Sequence, residues 1–150
     1  MGKNWKLVHI AVIVRDLDKA VKYYKSLGIA EIGPDEGVSP HKWADFMVYD
    51  KPADPNLKIK IRRVKIGQVE FEVIQPAGGE SIWQDFLDSK GEGVHHICFD
   101  VGDFKQEKAN LVEKGALIQL ATNYPSDFAY FDLNKGGDMV IELWQTGDVK

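Results

Sequence analysis

The chain has 150 residues, 44% of them hydrophobic, enough for one domain (1–150) with a buried core. Its formal charge of −4 argues against a nucleic-acid surface, and no apolar run approaches the roughly 18 residues that a membrane span requires. A single cysteine, Cys98, allows no internal disulfide, and no basic-then-apolar leader opens the chain, so a soluble, cytoplasmic protein is expected.

Leu7 to Val14 is rich in β-branched residues and too short for a globular helix, which predicts a strand. Asp16 then offers an N-cap, Leu17, Ala20, Val21, Tyr24 and Leu27 follow at helical spacing, and Gly28 stops the helix. Ile29 to Ile32 is strand-like. Gly33 to Leu57 contains Pro34, Pro40, Pro52 and Pro55 and reads mainly as loop, with room for a short strand within Trp43 to Tyr49. A hairpin of Lys58 to Ile66 and Gln68 to Gln75 turns at Gly67, and Pro76-Ala77-Gly78-Gly79 closes the segment. Basic residues alternate with apolar ones from Lys58 to Lys65, the pattern of a strand with one wet face; holding the phosphates of a thioester carrier is the alternative use. Ser81 to Ser89 predicts a short helix with Ile82, Phe86 and Leu87 on one side. Val94 to Val101 is the next strand, Asp103 the next cap, Phe104, Leu111 and Val112 the buried stripe and Gly115 the stop. Leu117 to Ala121, Ala129 to Leu133 and Met139 to Trp144 are strand-like, with a turn over Asn134 to Asp138.

This order repeats itself. His9-Ile10-Ala11-Val12-Ile13-Val14 leading to Asp16 returns as His96-Ile97-Cys98-Phe99-Asp100-Val101 leading to Asp103, and the offset of 87 positions holds from 9 to 96, 16 to 103 and 28 to 115. The last strands also end alike, Glu72-Val73-Ile74-Gln75 and Glu142-Leu143-Trp144-Gln145. Each half reads β-α-β-β-β, with one module over about 7–76 and the other over about 94–145. His9 and Glu72 are 63 positions apart and His96 and Glu142 only 46, the excess falling in the proline-containing 33–57 segment. An insertion of this kind shapes a substrate pocket, or else is a surface excursion or a dimer contact.

Strand alternation sends Val69, Phe71 and Val73 towards the module's helix and Glu70 and Glu72 the other way; Met139, Ile141 and Leu143 likewise leave Glu142 facing with Glu72. Carboxylates within apolar strands need partners, since an unpaired buried charge costs several kcal/mol. A lone strand histidine is commonly a core residue, but four residues in matched positions, His9, Glu72, His96 and Glu142, form a metal-site composition. Two imidazoles and two carboxylates suit divalent Co, Mn, Ni, Zn or Fe, and the ligand types do not choose among them. His95 must face away from His96, His41 lies in the long segment as surface or substrate contact, and Glu70 is a rim carboxylate or a base behind the ligands. Cys98 reads as a small core residue.

From Leu7 to Gln145 the chain resembles the vicinal oxygen chelate superfamily, the glyoxalase and bleomycin-resistance fold. His9-Ile10-Ala11-Val12, Asp16-Leu17-Asp18-Lys19-Ala20 and Tyr23-Tyr24-Lys25-Ser26-Leu27-Gly28 match its opening motif. Phe86 to Val101 is similar to methylmalonyl-CoA epimerases, and Val140-Ile141-Glu142-Leu143 fits both epimerases and glyoxalases. The resemblance implies an α+β fold in which two βαβββ modules form an open, cup-shaped mixed β-sheet. It implies metal ligation by His9, His96 and Glu142, with Glu72 where epimerases use Gln or Glu. The implied chemistry is proton abstraction next to a carbonyl through a metal-stabilised enolate, with Glu142 and Glu72 as candidate catalytic proton carriers. The implied partners are a small-molecule substrate, an acyl-CoA thioester or related 2-oxo compound, and a second copy in a homodimer. A glyoxalase I-type lactoylglutathione lyase uses the same metal set. An extradiol dioxygenase needs two histidines and one carboxylate around Fe(II), so the extra Glu72 counts against it, and a drug-sequestering module lacks the full ligand set.

Overall fold

The computed structural model describes residues 3–39, 45–122 and 127–145. Within them the β-branched stretches form ten strands and the amphipathic stretches three helices: β1 Lys6–Ile13, α1 Leu17–Leu27, β2 Ala30–Ile32, β3 Met47–Val48, β4 Lys51–Pro52, β5 Lys58–Ile66, β6 Val69–Gly78, α2 Ile82–Lys90, β7 Gly93–Asp100, α3 Phe104–Glu113, β8 Leu117–Thr122, β9 Phe128–Leu133 and β10 Met139–Trp144. The sheet is mixed and open, which makes the fold α+β as expected. The described chain packs as two units, one from 9–39 and 54–95, the other from 3–8, 45–53, 96–122 and 127–145.

In the first unit the strand order is β2-β5-β6-β1. β5 and β6 form a hairpin through Gly67, whose φ of 60° suits a residue without a Cβ, and β1 runs parallel to β6. Leu17 and Val21 of α1 close over Val14, Val64 and Val73, the helix-facing side of the sheet. In the second unit the order is β7-β10-β9-β8-β3-β4, with β10 parallel to β7 and antiparallel to β9. Its core is Val101, Phe104, Ala129, Phe131, Ile141 and Leu143.

The repeat persists down to single hydrogen bonds. Asp16 Oδ1 accepts from Lys19 N and Asp103 Oδ1 from Gln106 N, both at 3.0 Å. Val14 N donates to Ile74 O and Val101 N to Trp144 O, both at 2.9 Å. Leu17 N donates to Gln75 Oε1 at 2.8 Å, and Phe104 N to Gln145 Oε1 at 3.0 Å. Each module thus ties the open N-terminus of its helix to a glutamine of the segment that carries its glutamate.

Several expectations are corrected. Pro76 does not close the first module: β6 continues to Gly78, because a register shift between Lys58 and Ile59 keeps the pairing going past the proline. Leu27, Val112 and Met139, expected on the packed sides of their elements, are exposed, each in the first or last two residues of its element. Trp83, not singled out, is buried in α2 with Ile82 and Leu87, while Phe86 is half-buried. The 33–57 insertion contributes more than loop: β3 falls within the anticipated Trp43 to Tyr49 stretch, pairs with β4 as a hairpin and joins the edge of β8. Pro40, His41 and Trp43 lie outside the described residues.

Candidate metal centre

In β1 the buried residues alternate as His9, Ala11 and Ile13, the face opposite Val12 and Val14, which turn to α1. The parallel register sets Ala11 beside Glu72, so the carboxylate comes in two residues beyond the imidazole. His9 Nε2 lies 3.7 Å from Glu72 Oε2. The second unit repeats the arrangement: Cys98 is beside Glu142, and His96 Nε2 lies 3.0 Å from Glu142 Oε2. All four side chains are buried, His9 to 2% exposure, His96 to 1%, Glu72 to 8% and Glu142 to 6%.

The strands on the other side of the two glutamates differ. Across the antiparallel ladder Glu142 faces Tyr130, whose ring lies 4.3 Å from that of His96. Glu72 faces Arg63, with Nη2 3.4 Å from Oε2. Neither neighbour was singled out in the sequence. Arg63 was within reach of it, because a two-residue turn at Gly67 and Gln68 fixes Arg63 opposite Glu72.

Each unit thus carries one buried imidazole beside one buried carboxylate, His9 with Glu72 in the first and His96 with Glu142 in the second. Two imidazole nitrogens and a carboxylate oxygen in buried positions are a donor set that fits a divalent first-row metal. Of the four residues expected to converge, each unit sets two side by side, and in the first Glu72 stands beside both His9 and Arg63. His95 faces away from His96, as anticipated, and meets the edge of the Phe86 ring at 5.2 Å. Cys98 is fully buried.

The basic run is not a plain solvated face. Lys65 pairs in register with Glu70, Arg62 Nε donates to Gly33 O at 2.8 Å, and Arg62 Nη1 lies 3.7 Å from Asp35 Oδ2. On the helix side of β1, away from His9, a cavity of about 640 Å³ runs along α1 past Arg15, Lys19, Tyr23 and Tyr24. Burial, and then the charge of Glu92, push the Tyr24 phenol above its ordinary range.

A repeated β-α-β-β-β module that sets a histidine on its first strand and a carboxylate on its last defines a class of duplicated α+β folds. The model of the Glyoxalase/Bleomycin resistance protein/Dioxygenase superfamily matches residues 8–130, and the chain belongs to that superfamily. Among curated relatives, the mitochondrial methylmalonyl-CoA epimerase of Bos taurus is 31% identical over 133 residues, covering 78% of this chain and 64% of that protein. The ethylmalonyl-CoA/methylmalonyl-CoA epimerase of Cereibacter sphaeroides is 25% identical over 114 residues, covering 75% and 73%. The chain thus spans less than two thirds of the length of the bovine relative. Among solved structures, methylmalonyl-CoA epimerase from Mycobacterium tuberculosis superposes with a TM-score of 0.67 at 18% identity, covering 93% of this chain and 87% of that one. A methylmalonyl-CoA epimerase in complex with methylmalonyl-CoA and NH4+ gives 0.63 at 17% identity, covering 97% of both. At these identities the structures show the shared fold. No helix among the described residues is long and apolar enough to cross a membrane.

Proposed function

We propose that this chain is a metal-dependent epimerase, moving a proton on the carbon next to a thioester carbonyl, with an acyl-CoA of the methylmalonyl type as substrate. The observation that carries the reading is the buried imidazole–carboxylate pair that recurs in both units, His9 with Glu72 and His96 with Glu142. The naming of the relatives supports the substrate class.

His9 and His96 would hold the cation through imidazole nitrogen and Glu142 through a carboxylate oxygen. A divalent ion so held acts as a Lewis acid towards negative charge developing on a carbonyl oxygen. The chain's own carboxylates carry the proton. Glu72 takes it from the carbon as the C–H electron pair moves towards the carbonyl, and Glu142 is the candidate to return it on the other face. A homodimer, a single 1–150 domain and a cytoplasmic setting belong to the same proposal.

Incubating the purified protein with methylmalonyl-CoA in heavy water tests it. Deuterium should appear at the carbon between the two carbonyls, read by mass spectrometry, when Co²⁺ is supplied and not after chelation. Turnover of the glutathione hemithioacetal of methylglyoxal, with the thioester untouched, would instead make the protein a lyase. Catechol-dependent oxygen uptake would make it a dioxygenase.

A further inference from the structure

The duplication supplies an internal control for what each helix needs. At the offset of 87 positions the residues that cap and pack α1 recur at α3, Asp16 as Asp103 and Val14 as Val101. The residues beside the 640 Å³ cavity on the helix side of β1 do not: Arg15 corresponds to Gly102, Lys19 to Gln106, Tyr23 to Asn110 and Tyr24 to Leu111. On α3 two of these replacements satisfy each other, Gln106 Nε2 donating to Asn110 Oδ1 at 2.9 Å. On α1 the same ridge is left open. Among the described residues neither the Arg15 guanidinium nor the Lys19 ammonium takes part in an ion pair, and the Tyr23 ring is 58% exposed. A module that folds without these four groups does not keep them for its own stability.

The whole cavity lies within the first packed unit. Its floor is apolar, formed by Val12 and Val14, and one wall is a stripe of α1 in which Lys19 and Ala20 stand one turn before Tyr23 and Tyr24. Arg15 and Glu92 form the other wall. Both nearby carboxylates are engaged by backbone: Asp16 Oδ1 accepts from Lys19 N at 3.0 Å, and Glu92 Oε2 from Arg15 N at 2.9 Å. Two uncommitted cations thus stand beside two aromatic rings, and the N-terminal end of α1 adds partial positive charge. Burial, and then Glu92, keep the Tyr24 phenol protonated as a hydrogen-bond donor. The volume falls within the roughly 300–1,000 Å³ of small-molecule sites.

We propose that this cavity is a binding site for a small aromatic carboxylate, its ring against Tyr23 and Tyr24 and its anionic head between Arg15 and Lys19. One negative charge suits the cavity better than two, because Asp16 and Glu92 keep their own charges close by and repel a phosphate dianion. The site is on the face of β1 opposite His9, so it is separate from the proton transfer proposed above and needs no metal.

Amide NMR titration of the unmutated chain with 2-naphthoate tests this. Shifts should saturate in the millimolar range or below and concentrate on residues 15–24 and 92–93. 2-Naphthylmethanol, the same ring without charge, and 2-naphthyl phosphate, with two charges, should each bind at least about fivefold more weakly. K19Q/Y23N gives α1 the pair that α3 already carries, so it should fold, and it should weaken 2-naphthoate binding about tenfold or more; R15M should do the same. The absence of saturable shifts, or shifts centred elsewhere on the chain, overturns the inference. So does equal affinity for the alcohol, tighter binding of the phosphate, or a folded K19Q/Y23N that binds 2-naphthoate as well as the unmutated protein.

Discussion

His96 is buried, with the Tyr130 ring tilted against it and Glu142 at its Nε2. His96→Ala should therefore both abolish Co²⁺ binding and lower stability by about 2–4 kcal/mol, through the cavity and the stranded carboxylate, as read from metal titration and urea unfolding. Glu142→Gln keeps the volume and removes a charged ligand; its thioester proton exchange should fall about 100-fold or more. Asp54 gives a pH effect far from this chemistry. Its carboxylate accepts from Asn56 N and Glu80 N, both at 2.8 Å, which holds it below the ordinary value of 3.8. A depressed folded-state value means the stabilisation is present above the unfolded value and lost as pH falls through the folded one. Asp54→Asn should accordingly lower the urea midpoint at pH 7 and flatten its fall below pH 4, because the contribution of ionised Asp54 is already missing before acid removes it. An equal midpoint for the two proteins at every pH would deny Asp54 any role.

At the scale of elements, the Glu-x-x-Gln ending of β6 and β10 joins two tasks on opposite faces of one strand. Glu72 and Glu142 turn to the histidines, while Gln75 and Gln145 reach the helix N-termini at Leu17 and Phe104. Gln75→Ala should cost about 1 kcal/mol, visible as a lower melting temperature, because the first turn of α1 loses an acceptor. Gly79 is more demanding: at φ 67° a Cβ there would stand 2.6 Å from the backbone of Asn56 and Leu57, so Gly79→Ala should destabilise far more than the roughly 1 kcal/mol of backbone strain alone. Much of this was legible in the sequence. The strands and helices followed from periodicity, and the two histidines and two glutamates from their exact recurrence in two halves. What was not legible depended on non-local pairing. The two-residue strands β3 and β4 are too short to show a period, and the burial of Trp83 depends on what α2 meets. Arg63 could be placed opposite Glu72 from the tight turn between β5 and β6, whereas Tyr130 meets Glu142 only once the register of β9 on β10 is in place.

For the molecule as a whole, a cation held at residues distant in sequence should favour the folded state by mass action. Co²⁺ at about 100 times its dissociation constant should add about 2.7 kcal/mol to unfolding stability, and the increment should vanish in His96→Ala. An increment of the same size in that variant would mean the ion acts elsewhere. The hairpin from the insertion has a different bearing on the whole. β8 is six residues of mostly apolar sequence, and in a shorter chain its outer edge would be bare. Here β3 covers it and β4 ends the row at Pro52, whose nitrogen has no hydrogen to offer a neighbour. Among the described residues the insertion thereby replaces a six-residue edge with one only two residues long, which offers a second copy little backbone to stack against.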